Sequence, residues 1–339
     1  MKTKLIILLA LITLIISCTK DRDETTASSI LILNEGLFNT ATSSISSYNP
    51  ETKEVVQNVF KNANNAAVIG DILHSANEIE GELFLVVNNS HKIIVVDPST
   101  LVLKRSLILP ESASPRYVEK GSGDEILVTD IFGTAVTRLN KTSGEVVGQI
   151  DLGTSSEELI RVGTKVFVAN PGPYLSAANT ISVIETSNNS VTKIETAGVN
   201  LVSIKVDNSG LLWVLATGNY DDISGKVIVI DSDDLSIVKT IDIGGSPSDL
   251  DINNSTNEVF VLNSPNIQVL DLKTYAIKNT SLVTGSFYAL GVDEKDNRLY
   301  VTDPNDYTSN GSLKVFSLSG DSLDQVTVGV NPGFIHIAN

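Results

Sequence analysis

The sequence predicts an all-β fold, namely a closed ring of seven four-stranded antiparallel sheets, here called blades. Two observations carry this prediction. The second strand-forming run of each unit recurs at intervals of 40 to 48 residues, a period typical of repeat proteins that build propellers. The chain also has one more strand at its C-terminus than its last repeat needs. We therefore predict a seven-bladed β-propeller that the C-terminal strand closes by pairing in the first blade.

Each predicted unit contains a short apolar run that usually ends in Asn or Asp. Seven such runs can be aligned, one of which ends in Ala216 instead, and they span 31–34, 85–88, 127–130, 167–170, 213–216, 261–263 and 300–303. A second run follows each of them and is apolar at nearly every position, as expected of a strand that is covered on both faces. These second runs span 45–48, 93–97, 136–140, 181–185, 227–231, 267–271 and 313–318.

Two more strands complete the predicted unit. A third run alternates apolar with polar residues, for example over 149–153 and 240–244, which indicates one buried and one solvated face. Turn-forming segments such as 97–100 precede it and favour tight hairpins. An opening strand is expected at 116–119, 159–162, 201–206, 248–252 and 288–292. Helical spacing occurs only in the N-terminal apolar run, so no other helix is predicted.

The first and last units complement each other. The first unit begins directly at Ile30 and has no opening strand, whereas 333–337 form a strand beyond the last unit. Pairing these two segments closes the ring and protects sheet edges that would otherwise be exposed. A pair of β-sandwich domains is the alternative all-β arrangement. It explains neither the regular period nor the surplus strand.

The N-terminus has the features of a cleaved and lipidated secretory signal. An apolar run over 5–16 follows a basic start and is shorter than the ~20 residues that a transmembrane helix needs. Cys18 is the only cysteine and follows the small residue Ser17, and 14–18 resembles the lipobox of bacterial lipoproteins. We expect a signal peptide over 1–17, lipidation of Cys18, a flexible tether over 18–28 and the propeller over 29–339.

Composition excludes several classes of partner and site. The formal charge of −16 becomes −18 once 1–17 are removed, because Lys2 and Lys4 leave. Such an acidic surface argues against nucleic acid and against electrostatic docking on anionic lipid, so the expected membrane contact is the lipid anchor alone. With a single cysteine, neither an intrachain disulfide nor a zinc–thiolate site is expected.

A ligand site is expected on one face of the ring. The loops that follow the second strand of each blade share this face with the loops that lead into the next blade. Aromatic side chains there offer flat apolar area, and Asn or Asp side chains beside them offer donors and acceptors. The predicted ligand-binding residues are the loop residues Phe38, Arg116, Tyr117, Phe132, Tyr174, Tyr220 and Tyr307 and the strand-terminal Asn34, Asn88, Asp130, Asn170 and Asp303. Phe287 is expected on this face too. Packing between blades is the alternative for each aromatic residue.

Signals for catalysis and for metal binding are weak. The three histidines, His74, His91 and His336, lie far apart in the sequence. His336 is expected in the core, whereas His74 lies in an opening strand and either reaches a ligand or fills space. Calcium on 303–306 is a weaker interpretation than solvated turn residues. We therefore predict a protein that is not an enzyme and that has no cofactor and no bound metal.

Several short motifs support a family resemblance. They span 33–36, 47–52, 86–90, 114–118, 128–130, 290–293, 300–303 and 310–311. With them, 29–339 resembles the YncE-like seven-bladed propeller surface lipoproteins, a DUF5074-like family that includes cobalamin-binding surface lipoproteins. The resemblance implies capture of a corrinoid and its transfer to a TonB-dependent outer-membrane transporter. The first loop, 38–44, is short and serine-rich, unlike the glycine- and tryptophan-rich version usual in the family.

Three functional hypotheses follow. The first is a lipid-anchored protein that captures cobalamin or another corrinoid at the outer membrane. The segment 20–24 resembles the surface-export signal of lipoproteins in Gram-negative gut bacteria, so exposure at the cell surface is expected. The second hypothesis is a propeller that only docks to a partner protein. The third is a metal-dependent hydrolase or lyase, which would need a carboxylate cluster at the mouth of the channel.

Overall fold

The computed structural model describes residues 30–172 and 178–338. Within these ranges the chain forms seven separate four-stranded antiparallel sheets. The strands are β1 (Ile30–Asn34), β2 (Ser44–Tyr48), β3 (Val55–Val56), β4 (Leu73–Ile79), β5 (Glu82–Val87), β6 (Lys92–Val96), β7 (Leu103–Ile108), β8 (Pro115–Lys120), β9 (Glu125–Asp130), β10 (Ala135–Asn140), β11 (Val146–Asp151), β12 (Leu159–Val162), β13 (Lys165–Asn170), β14 (Thr180–Glu185), β15 (Ser190–Glu195), β16 (Leu201–Val206), β17 (Leu211–Ala216), β18 (Lys226–Asp231), β19 (Ile237–Asp242), β20 (Asp249–Asn253), β21 (Glu258–Asn263), β22 (Asn266–Asp271), β23 (Ile277–Thr284), β24 (Leu290–Asp293), β25 (Arg298–Asp303), β26 (Asn310–Ser317), β27 (Ser322–Val330) and β28 (Pro332–Ile337).

The sheets are arranged as a closed ring, which confirms the predicted seven-bladed propeller. Blade 1 has the order β28-β1-β2-β3, and blades 2 to 7 each take four consecutive strands from β4 to β27. The first strand of every blade contacts the first strands of both neighbouring blades. These seven strands, β28, β4, β8, β12, β16, β20 and β24, therefore surround the axis.

The C-terminal strand closes the ring as predicted. β28 runs antiparallel to β1, with Ile337 opposite Ile30 and Phe334 opposite Leu33. The edge of β1 that faces the axis is thereby paired along its length. Because one sheet combines both ends of the described chain, the blades cannot separate without breaking this sheet.

The third strand of a blade is apolar at successive positions because it packs on both sides. In β18, Ile228 packs towards blade 4, in the same cluster as Phe167. Its neighbour Val227 packs towards blade 6, in the same cluster as Leu250. Since successive side chains of a strand point to opposite faces, both faces of the blade are buried against neighbouring blades. The core is thus divided among the interfaces between blades.

The predicted hairpin turns are held by carboxylate and amide side chains. Asp97 Oδ1 accepts hydrogen bonds from the backbone N–H groups of Ser99 (3.1 Å) and Thr100 (3.0 Å). Asn140 and Asp271 make the same pair of bonds in their own blades. An Asp or Asn at this position therefore sets the turn between the third and fourth strands.

The prediction that no helix follows the signal is wrong at two places. Residues Val59–Ala63 form a single helical turn, α1, and Asn88–Ser90 form a short 3-10 turn. α1 is held by packing, because Phe60 is almost fully buried and Asn64 donates to the carbonyl oxygens of Phe60 and Leu101 (both 2.8 Å). One turn is too short to produce a helical periodicity in the sequence. No helix among the described residues has the length and apolar character that crossing a membrane requires.

Candidate functional site

A cavity of about 400 Å³ opens on the axis of the ring. Its wall contains residues from all seven blades. It includes loops that follow second strands, at Ile131 and Pro171, and loops between blades, at Asn200 and Ser246. The cavity therefore lies on the face where the sequence predicts a ligand site. Its volume is within the range of small-molecule sites, at the lower end.

Charged side chains enter the cavity from the strands that surround the axis. Asp249 and Asp251 are alternate residues of β20, and Ser203 and Lys205 are alternate residues of β16. All four line the cavity, because every second side chain of a strand points the same way. The alternation of these strands thus places polar groups on the axis.

One wall of the cavity holds an arginine–glutamate pair. Arg116 donates to Glu157 from Nε (2.8 Å) and approaches it from Nη2 (2.6 Å), in a two-point arrangement that orients both groups. Burial alone would raise the pKa of Glu157, but the charge of Arg116 opposes burial and the pKa is lowered. Burial, and then the charge of Arg116, lower the pKa of His74 to about 4. His74 is therefore neutral near pH 7 while the pair stays ionised.

The adjoining wall, from blades 4 to 6, holds one lysine among three carboxylates. Lys205 forms an ion pair with Glu158, and Glu158 also accepts from Ser203 Oγ (2.6 Å). Asp249 and Asp251 raise the pKa of Lys205 together with Glu158, against the opposing effect of burial. Burial raises the pKa of Asp249 to about 7, and the nearby carboxylates add to this while Lys205 only partly opposes it. One ammonium group thus faces three partly buried carboxylates.

Tyrosine side chains form part of the cavity wall near its rim. Tyr288 donates from its hydroxyl to Glu35 (3.2 Å), and both residues line the cavity. The ring of Tyr307 packs edge-on against Tyr288 at 5.9 Å between centroids. Burial raises the pKa of Glu35. The rim therefore combines aromatic surface with a carboxylate whose charged form is disfavoured.

Three predicted site residues line the cavity, namely Arg116, Tyr117 and Tyr220. Tyr117 packs edge-on against His74, at 5.1 Å between ring centroids, and against Phe334 at 6.5 Å. Tyr220 is 75% exposed and stands at the mouth. Arg116 and Tyr117 thus form the inner wall, whereas Tyr220 remains open to solvent.

Three more predicted aromatics lie in loops of the same face without lining the cavity. Phe132 is 84% exposed, Phe38 is 66% exposed and Tyr307 is 52% exposed. Each lies in the loop that follows the second strand of its blade. Phe287 is different, since it is buried and packs against Phe316 in the interface between blades 6 and 7. The prediction that Phe287 lies on the binding face was therefore wrong, and the neighbouring Tyr288 lies on that face instead.

The strand-terminal residues bond within the protein. Asn34 and Asn170 are fully buried, and their Nδ2 atoms donate to Ser46 (3.1 Å) and Ser182 (2.8 Å), respectively, in the adjacent strand. The structure thus places both inside their blades rather than at the cavity.

The other three strand-terminal residues hold loops of the predicted face in place. Asn88 donates to the carbonyl oxygen of Pro115 (2.8 Å). Asp130 accepts from the N–H groups of Phe132 and Gly133 (both 2.8 Å). Asp303 forms an ion pair with Lys314, at 2.7 Å, and accepts a hydrogen bond from the backbone N–H of Asn305. Cys18 and Tyr174 lie outside the described residues.

Sequence reasoning missed the charged group at the centre of the cavity. Glu157, Glu158, Lys205, Asp249 and Asp251 were not among the predicted site residues, although all five line the cavity. A signal existed, because charged residues alternate along opening strands that should be shielded from solvent. A carboxylate cluster in the channel is what the hydrolase hypothesis requires. However, no three or more His, Cys, Asp or Glu side chains within 30–172 and 178–338 are arranged to hold a metal ion.

Comparison with known proteins places the fold in context. A family model described as "Domain of unknown function (DUF5074)" matches residues 28–248. No curated protein matches the sequence. Solved propellers are similar in structure at low sequence identity, and this similarity shows the fold alone.

Three of these solved structures belong to proteins with different descriptions. One is a quinonprotein alcohol dehydrogenase-like protein from Bacteroides thetaiotaomicron (TM-score 0.73, 16% identity, covering 92% of this chain and 78% of the other). Another is a putative 6-phosphogluconolactonase from Bacteroides fragilis (TM-score 0.71, 12% identity, covering 94% of this chain and 100% of the other). A third is a functionally unknown protein from Desulfotomaculum acetoxidans (TM-score 0.68, 10% identity, covering 91% of this chain and 98% of the other).

Proposed function

The chain belongs to the DUF5074 family, and on that premise we propose that it is a ligand-capture protein that binds a corrinoid on the loop face of its propeller without catalysis. The observation that carries the proposal is the shape of this face. A cavity with walls from all seven blades opens among loops that expose several aromatic rings. Such rings supply flat apolar contact area around a polar centre.

A corrinoid matches this arrangement better than a compact ligand does. A corrin ring is wide and flat and has amide groups along its edge. It is too wide to enter a cavity of about 400 Å³, so it would lie across the mouth. Phe132, Tyr220 and Tyr307 would contact its faces and edges, while one substituent of the ring would enter the cavity.

Capture at a membrane requires an anchor and an acceptor. Lipidation of Cys18 would hold the protein at the outer membrane, and two or more acyl chains make such an anchor durable. Release to a TonB-dependent transporter at the cell surface would complete the process. The anchor would be tested by mass spectrometry of the mature N-terminus, and the acceptor by co-purification from outer membranes.

Calorimetric titration with cyanocobalamin tests the ligand directly. We expect saturable binding at micromolar concentration, and weaker binding in Phe132→Ala and Tyr220→Ala. Ile108→Ala is the matched control, because Ile108 is a similarly exposed apolar residue on an outer strand and should bind as the native protein does. Absence of binding at micromolar ligand would refute the corrinoid assignment.

A docking propeller is the second candidate function. The degree to which Phe132 and Phe38 project into solvent favours it, because large apolar side chains on a surface often mark protein interfaces. This candidate predicts that a transporter co-purifies in the absence of any corrinoid. It also predicts that Phe132→Ala weakens that association while cyanocobalamin has no effect on it.

A further inference from the structure

The electrostatic balance of the cavity points to the charge of its ligand. Five carboxylates line it, from Glu35, Glu157, Glu158, Asp249 and Asp251, whereas Arg116 and Lys205 are its only cations among the described residues. Buried charges are costly unless they are paired. The surplus of carboxylates over cations therefore favours entry of a cation, which can replace a bound proton, and disfavours phosphate or carboxylate ligands.

The surplus is concentrated on one wall. Glu158 holds the ammonium of Lys205, while Asp249 and Asp251 accept mainly backbone N–H groups, from Leu290 (3.1 Å) and Val292 (2.8 Å). Each of these two carboxylates therefore keeps acceptor capacity for a ligand. Asp251 also lines the second cavity, at the other end of the axis, so this pair lies deep in the channel.

His74, on β4 across the cavity from Asp249 and Asp251, provides an independent observation. Its side chain is only 11% exposed, it lines the cavity, and neither ring nitrogen has a hydrogen-bond partner among the described residues. The Glu157 oxygen Oε1 lies 3.5 Å from Nε2, too far for a good hydrogen bond. A neutral imidazole has one acceptor nitrogen and one N–H donor, and both are enclosed in this wall without a protein partner.

The kind of cation follows from the arrangement of its acceptors. No three or more His, Cys, Asp or Glu side chains in the described part of the chain are arranged to hold a metal ion. The acceptors are instead divided between Asp249 and Asp251 on β20 and His74 on β4, and the rings of Tyr117 and Tyr220 line the same space. Dispersed acceptors with aromatic faces suit an organic ammonium group, which carries several N–H donors and is attracted to ring faces.

We propose that the inner cavity binds the primary ammonium group of a small organic amine, which Asp249 and Asp251 hold in competition with a proton. The inference rests on the proposed function only in taking this cavity as the ligand site, and it does not require a corrinoid. The ligand would be either a free amine or the amine-bearing arm of a larger molecule that lies across the rim.

Competition with a proton makes binding depend on pH. The charged and titratable groups that face Asp249 are Lys205 on β16, Glu158 before β12, Asp251 on β20 and Tyr117 on β8. Burial, and then the carboxylates of Glu158 and Asp251, raise the pKa of Asp249 to about 7, although Lys205 opposes this. A ligand ammonium therefore displaces a proton in acidic solution and meets a carboxylate in basic solution. Affinity should rise with pH through this range.

Calorimetry with 1,4-diaminobutane tests the inference, with 1,4-butanediol as the uncharged probe of the same length. Because the diamine stays charged throughout, its affinity should be about tenfold higher at about pH 8 than at about pH 6. Butanediol should not bind at the same concentrations. Asp249→Asn should weaken diamine binding and remove most of its pH dependence, whereas Asp124→Asn, at an exposed carboxylate in a distant turn, should change neither.

Three results would overturn the inference: no diamine binding at about pH 8, equal binding of the diol, or affinity that is independent of pH. If Asp249→Asn does not fold, Asp251→Asn serves in its place, and the pH profile of the native protein decides by itself. A cyanocobalamin titration on the same preparations separates the two proposals. Diamine binding without corrinoid binding refutes only the corrinoid, and the reverse refutes only the amine site.

Discussion

Asp249→Asn should stabilise the protein, and the gain should grow with pH. The folded protein raises the pKa of Asp249 from 3.8 to about 7. The stability that its protonated form contributes is fully present below the unfolded pKa, and it is lost as pH rises towards the folded pKa. Asparagine has no charge to bury, and its side-chain oxygen can still accept the N–H of Leu290. The variant should therefore escape this loss.

The size of the effect follows from the shift. One pKa unit corresponds to about 1.4 kcal/mol, so a shift of about three units sets an upper bound of about 4 kcal/mol. Asp249 lines an open cavity, where solvent screens part of the charge, and we expect about 2 kcal/mol. For a folded chain of about 300 residues this is about 3 °C in Tm.

Differential scanning calorimetry between about pH 5 and pH 8 measures the difference in Tm between the variant and the native protein. The difference should increase up to about pH 7 and then level off. Asp124→Asn, at an exposed site, should show no such trend. A variant that is less stable than the native protein at pH 8, or a difference that is constant across the range, would refute the account of this carboxylate cluster.

The remaining predictions concern the Arg116–Glu157 pair, the closure of the ring by β28 and the lipid anchor at Cys18. Arg116→Met should lower the free energy of unfolding by about 3–5 kcal/mol in urea titrations, because Glu157 would stay buried without its partner; the double variant with Glu157→Gln should recover most of the loss. Truncation before 332 should give aggregated protein in size-exclusion chromatography, since it exposes the inner edge of β1; a monomeric, cooperatively folded truncation would contradict the role of β28. Cys18→Ser should move the protein from the membrane to the soluble fraction of cells, and unchanged membrane association would argue against the lipid anchor.

The architecture could be predicted from the sequence because it depends on repetition and on strand patterns. Continuous apolar runs such as 227–231 report strands that are buried on both faces, and the structure confirms this in β18. The surplus strand at 333–337 sufficed to predict closure. α1 was missed because one helical turn that is held by Phe60 leaves no periodic signal.

The site could be predicted only in part. Position along a blade predicted the correct face, but it could not separate Phe287, which packs between blades, from its neighbour Tyr288 at the rim. Asn34 ends an apolar run of the sequence as Asn88 does, yet only the three-dimensional structure reveals that Asn34 bonds inside its blade. Glu158 and Asp249 are far apart in sequence and meet only because the ring brings the strands around the axis together.

The central claim is that a ligand binds across the mouth of the axial cavity. A crystal structure of the mature protein grown with cyanocobalamin tests it most directly. We predict electron density for the corrin ring over the cavity, in contact with Tyr220 and Phe132. Density at any other place on the propeller, or an empty loop face at saturating ligand, would contradict the claim.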